Sequence, residues 1–124
     1  MSNHREHDEQ VALFRWSAMV SESQYPGLDL MYAIPNAARR SPRQGAWMKA
    51  EGMKPGMPDV HLPVRCGDKA GLWIEMKADK NKPTENQKNR MTKLTKAGHV
   101  CVVCYSWQEA VAAIDRYYAL EVWK

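Results

Sequence analysis

The sequence has no apolar run of the roughly 20 residues that a bilayer crossing requires. Its polar opening, Ser2-Asn3-His4-Arg5-Glu6-His7-Asp8, lacks the apolar stretch of a signal peptide. Both absences lead us to expect a cytoplasmic protein. Cysteine is scarce and odd in number: Cys66, Cys101 and Cys104. An odd count suits a reducing compartment better than a disulfide framework. Cys101 and Cys104 have redox or zinc spacing, but they sit in a run that reads as a strand, where residues three apart point to opposite faces. Buried thiols are the expectation. There is no phosphate-cradling glycine loop, so no nucleotide cofactor is implied. His4, His7, His61 and His99 show no metal or nucleophile spacing, and His61 reads as a strand-surface residue. No repeat, linker or low-complexity segment is visible, and 124 residues leave room for one domain, 1–124.

What is present is an ordinary globular mixture, 44% hydrophobic and 26% charged, with a basic balance of +4. That charge favours a polyanionic partner only weakly. Its distribution is more informative. Arg39, Arg40, Arg43, Lys49 and Lys54 form one cluster, and a second runs from Lys77 to Lys96. Each of these side chains is as easily a solvated surface charge as a phosphate contact.

Hydrophobic periodicity predicts a helix over 6–20, with Leu13, Trp16 and Val20 on one stripe. A strand over 28–34 and a short helix over 44–51 follow. Strands over 59–64 and 72–78 flank a polar, glycine-containing hairpin loop. Thr84-Glu85-Asn86-Gln87 has the form of a capping box opening a helix that Gly98 stops. The apolar run 100–105 reads as a central strand covered on both faces, and 107–120 as the last helix. This order predicts an α/β fold, a mixed β-sheet flanked by helices with at least one helical crossover.

The chemistry lies in Trp73-Ile74-Glu75-Met76-Lys77. Alternation along a strand puts Trp73, Glu75 and Lys77 on one face. Asp59 opens the preceding strand, so the hairpin brings it towards Glu75. Two converging carboxylates without an intervening Arg repel each other, unless a divalent cation lies between them. Hard oxygen donors favour Mg²⁺ or Mn²⁺. Taken alone, Glu-x-Lys reads equally as a solvated ion pair on an edge strand. The ordered set is more specific than any member of it.

Gly56-Met57-Pro58-Asp59, fifteen intervening residues, then Glu75-Met76-Lys77 resembles the PD-(D/E)XK nuclease signature. Glu9-Gln10, Ile34-Pro35-Asn36, Glu51-Gly52 and Thr84-x-x-Gln87 extend the resemblance to the VRR-NUC family, the virus-type replication and repair nucleases. The resemblance implies a restriction-endonuclease-like core in a freestanding phage or prophage-type protein. It implies metal ligation by Asp59, Glu75, the Met76 carbonyl and a helical glutamate, for which Glu9 is the candidate although Glu6 lies one turn away. Lys77 would orient water and offset phosphate charge. Gln87 is a capping residue that the family also places near the active site. Asn36, Arg39, Arg40, Arg43, Lys49 and Lys54 are the candidate DNA contacts, with Asn36 equally readable as a turn residue. The implied activity is structure-specific DNA cleavage, Holliday junction resolution by a homodimer above all. Flap or duplex cleavage is the alternative, as is a non-catalytic DNA-binding protein on the same fold.

Overall fold

The computed structural model describes residues 2–35 and 41–120. The elements run α1 (Ser2–Met19), a 3-10 turn (Leu28–Leu30), β1 (Tyr32–Ala33), α2 (Pro42–Ala50), β2 (Val60–Leu62), β3 (Leu72–Met76), α3 (Glu85–Lys96), β4 (Val100–Cys104) and α4 (Trp107–Tyr118). The sheet order is β1-β2-β3-β4. Its first two pairings are antiparallel, and β3 pairs with β4 in parallel through the α3 crossover. The mixed α/β sheet expected from the sequence is therefore the architecture. Among the described residues, no helix is long and apolar enough to cross a membrane.

The core forms where α1 and α4 cover one face of the sheet. Leu13 of α1 and Ala110, Ala113, Ile114 and Tyr117 of α4 close over Val60, Leu62, Leu72, Ile74 and Met76. The last helix supplies four of these residues at helical spacing, so its apolar stripe does the burying. Tyr117 also satisfies its hydroxyl inside the core by donating to the Val64 carbonyl, 2.5 Å away. Cys104 is buried and Cys101 half-buried, and all three cysteines are free thiols. Burial pushes the Cys104 thiol up to about 11.

Helix α1 starts at Ser2, earlier than residue 6, and β2 and β3 are shorter than expected; three further departures have a local physical reason. The segment expected as a strand over 28–34 opens with Gly27 at φ 84° and a 3-10 turn, leaving only Tyr32–Ala33 as strand. Leu28 and Met31 are both buried. Their spacing of three residues suits that turn and not the two-residue alternation of a strand. Helix α2 begins at Pro42, two residues before the expected start, because Ser41 and Gln44 form a capping box with Pro42 in the first turn.

The third departure concerns the centre of the sheet. The apolar run 100–105 is the outer strand β4, whereas β3 is an interior strand, with all five of its residues buried. Helices α3 and α4 pack on β4, so the two-faced cover was legible. Apolar composition reports cover on the faces, and does not say whether a strand has a neighbour on both edges.

Gly56 fixes the loop before β2. Its φ is +80°, and an added Cβ would lie 2.8 Å from the Asn86 carbonyl oxygen on α3. Arg90 Nε donates to the Pro55 carbonyl at 3.2 Å, tying the same loop to the same helix. Gly52, at φ +106°, has nothing within 4 Å of its Cβ position. We predict that Gly56→Ala lowers stability by about 1–3 kcal/mol, from backbone strain and the α3 clash together. Gly52→Ala carries the strain alone and should cost less. Denaturant unfolding of the two variants checks the order, and equal losses would show that the α3 contact is unimportant.

Candidate active site

Strand β3 outruns β2. The last paired residues are Val60 and Ile74, yet the β3 chain continues past Glu75 and Lys77. Its amides beyond that point are taken from two sides. Lys77 N–H donates to Cys104 O on β4 at 3.0 Å. Met76 N–H donates to Asp59 Oδ2 at 2.8 Å, and Ala78 N–H to Glu6 Oε2 at 3.3 Å. Two carboxylates thus occupy the positions where a longer β2 would have offered carbonyls. Asp59 is itself held by its backbone, whose carbonyl accepts from Ile34 N–H at 2.7 Å. The buried Pro58 precedes it and stiffens the approach to the strand.

Glu75 stands between these groups with only 2% of its surface exposed. Its Oε2 lies 3.6 Å from Lys77 Nζ, and Lys77 is itself 13% exposed. Its Oε1 is buried with no hydrogen-bond partner. Burial, followed by the Asp59 charge, pushes the Glu75 carboxyl up to about 8, against the pull of Lys77; Glu6 adds a smaller upward push. A buried carboxylate oxygen without a donor is costly. A cation would supply what the protein withholds. Among the described residues, no three His, Cys, Asp or Glu side chains converge as a ready-made cage. The carboxylates that could contribute to a cation site are those of Asp59 and Glu75. Mg²⁺ is commonly held by so few carboxylates.

The two glutamates of α1 have different partners. Glu6 is the one beside Glu75. Glu9, the sequence candidate for the acidic cluster, points elsewhere: its Oε1 accepts from Trp107 N–H at 2.7 Å, at the start of α4. There it shares the helix N-terminus with Ser106, whose hydroxyl accepts from Glu109 N–H at 3.1 Å. A carboxylate suits that position because the first amides of a helix lack partners and carry partial positive charge.

A hollow of about 670 Å³ lies along this end of the sheet. Asp59 lines it together with Gly56, Thr84 and Gln87 on one side, and Gly45, Ala46, Lys49 and Lys54 on the other. Gln87 completes the capping box of α3, where its Oε1 accepts from Thr84 N–H at 2.8 Å. Its capping and cleft-lining positions coexist. Arg43 lies apart from Lys49 and Lys54, against a separate hollow on the other side of α2. Asn36, Arg39 and Arg40 fall outside the described residues. His61 stacks on Trp73, with ring centroids 3.8 Å apart, and bonds Tyr32; it takes no part in the acidic group.

The VRR-NUC domain matches residues 4–108. The chain belongs to the VRR-NUC family. A solved VRR_NUC domain protein is similar over 93% of this chain and 88% of its own, at 28% identity and a TM-score of 0.79. No match was found among curated proteins. The VRR-NUC assignment carries a nuclease-type, DNA-processing function.

The Glu75 carboxyl has a consequence for stability. Raised above its ordinary 4.5 to about 8, it holds a proton in the folded state that the unfolded chain releases. Stability from this group is therefore lost as pH rises through that window, and levels off above it. Glu75→Gln should remove the decline and melt about 5 °C or more above the parent at alkaline pH. Mn²⁺ should raise the melting temperature of the parent there, and leave the variant unmoved. Melting curves from about pH 5 to 9 test this. Parallel pH profiles for the two proteins would show that Glu75 is not buried at this cost.

Proposed function

We propose that this protein is a Mg²⁺- or Mn²⁺-dependent endodeoxyribonuclease that acts as a homodimer on branched DNA, four-way junctions above all. The observation that carries the reading is the unpartnered Oε1 of Glu75, set beside Asp59 and opposite Lys77. Asp59 and Glu75, with the Met76 carbonyl, would hold the cation, and Glu6 supplies further negative charge next to them. When bound, the cation supplies electrophilic activation of the phosphate and acidifies a nearby water. Lys77 Nζ, restrained by Glu75, presents a fixed positive charge to the phosphate oxygens and a donor that orients water. Lys49 and Lys54 stand on the cleft wall as contacts for the DNA backbone, and backbone contacts position a duplex without reading its sequence. Gln87 holds the opposite wall by capping α3.

The junction reading rests on size and symmetry. One domain of this length covers little of a four-way junction, which has two-fold symmetry and needs two matched cuts. A two-fold dimer presents two sites at fixed spacing and polarity through an isologous interface. The chain has apolar surface to spare away from α2: Met19, Leu30 and Tyr32 are all exposed. Trp107 and Tyr118 pack on the core, and Tyr117 lies within it. Trp123 lies outside the described residues.

Cleavage of labelled DNA with Mg²⁺ or Mn²⁺ tests the chemistry. Asp59→Ala and Glu75→Ala should each reduce the rate by orders of magnitude. Lys77→Ala should cost about 10²–10³ in rate, the usual loss for one charge-stabilising group. Glu6→Gln should slow cleavage without a matching loss of stability. Glu9→Gln should instead weaken the fold by about 0.5–2 kcal/mol through the α4 terminus, with cleavage retained. Undiminished cutting in EDTA, or full activity in Lys77→Ala, would sink the assignment.

The assembly has its own test. Light scattering at micromolar concentration should return a dimer, and a four-way junction should receive symmetric paired cuts. A strict monomer, with and without junction DNA, would remove the dimer and leave flap or duplex cleavage as the activity.

A further inference from the structure

Helix α2 stands as a wall with two different faces. Gly45, Ala46 and Lys49 line the cleft that holds Asp59. Trp47 is two residues from both Gly45 and Lys49, so at about 100° per residue it is turned roughly 160° away from them. On that outer side Arg43, Gln44, Trp47 and Met48 line a second hollow of about 510 Å³. Trp47 is 71% exposed. Among the described elements, the helix makes no extensive contact with any other helix or strand. A capping box, a first-turn proline and the burial of Gly45 on its inner side hold it in shape. An exposed indole on the outer side of a wall beside the Asp59 cleft is not explained by the fold.

We propose that the outer face of α2 separates strands at a DNA branch point, with Trp47 stacked on the first unpaired base of the strand that does not enter the cleft. This rests on the nuclease reading, and it narrows the substrate to DNA whose base stack is interrupted. Inside an intact duplex both faces of a base are covered by its neighbours. An indole meets an open face where the stack is interrupted, as at a branch, a flap, a strand end or a single-stranded stretch. Aromatic platforms accept any base, because every base has a π-face. Arg43 lies one helical turn before Trp47 on the same side, where its charge suits the phosphate of a stacked nucleotide. Lys49 and Lys54 serve the strand on the other side of the wall. The same face docked on a second copy of the chain would bring Arg43 against its own image or close to it, and like charges oppose that pairing.

The experiment uses the full-length chain carrying Glu75→Gln, so that bound DNA stays uncut, with 2-aminopurine at the branch position of a flap and of a four-way junction. Binding should quench the probe. Adding Trp47→Ala should abolish the quench and weaken branched-DNA binding about 5- to 100-fold, with duplex binding changed by no more than about twofold. Trp47→Phe, which keeps a stacking ring, should retain most of both. An unchanged quench in Trp47→Ala would overturn the proposal. So would an equal loss on duplex and branched DNA, accompanied by conversion of a dimer to a monomer in light scattering, which would make this face the contact between copies. Absence of metal-dependent cleavage in the parent chain would defeat the nuclease reading by itself. The quench and the binding ratio would still report on Trp47.

Discussion

The site depends on a strand that continues after its neighbour has stopped. Backbone amides at a buried strand end need acceptors, and here the acceptors are carboxylates. Asp59 serves Met76 and Glu6 serves Ala78. Those bonds anchor two negative side chains to the same short stretch of chain that carries Glu75 and Lys77. One structural requirement, satisfying β3, therefore gathers the charged groups and fixes their relative positions. An apolar residue at position 59 would leave the Met76 amide without its acceptor and would also dissolve the acidic pair.

The sequence carried the strand-borne part of this arrangement well. Glu75 and Lys77 were legible because alternation along a strand is geometric, and Asp59 because a short hairpin must return the chain beside itself. The helix-borne part was not legible. Glu6 and Glu9 are three residues apart on α1 and share a face, so periodicity gives both the same credentials. What separates them is which partner each reaches: the end of β3 for one and the start of α4 for the other. Those partners lie 72 and 98 residues away in the chain, and no local pattern reports contacts of that range. The Ser41-Pro42-x-Gln44 start of α2 was different. That signal stood in the sequence in the same form as Thr84-x-x-Gln87, and it was hidden only by the polar surroundings.

The strand order shows another limit of patterning. The apolar segment of β4 and the mixed segment of β3 suggest opposite places in the sheet. Glu75 is tolerated in this interior strand because it sits near one end, beyond the last residue of β3 that pairs with β2 and beside Asp59. Burial of Glu75 is thus a property of position along the strand, and the apolar Leu72 to Ile74 portion does the packing.

The two ends of the cleft differ in how firmly the fold holds them, and the difference suits their chemistry. Asp59, Glu75 and the β3 backbone belong to the buried sheet, cross-linked by ladder bonds and by carboxylate bonds. In the proposed chemistry these groups would need that precision, since small displacements are expensive in rate. The facing wall, α2, is stabilised from within by its caps and borrows little from the core. Gly56 and Arg90 brace the loop that leads from it to β2 against α3, so the wall is tethered at its C-terminal side. A wall held in this way can adjust to backbones of different local shape without disturbing the carboxylates. The proposed activity on branched DNA would call for both properties at once, because the phosphodiester chemistry would be the same in every substrate while the path of the strands around it would not.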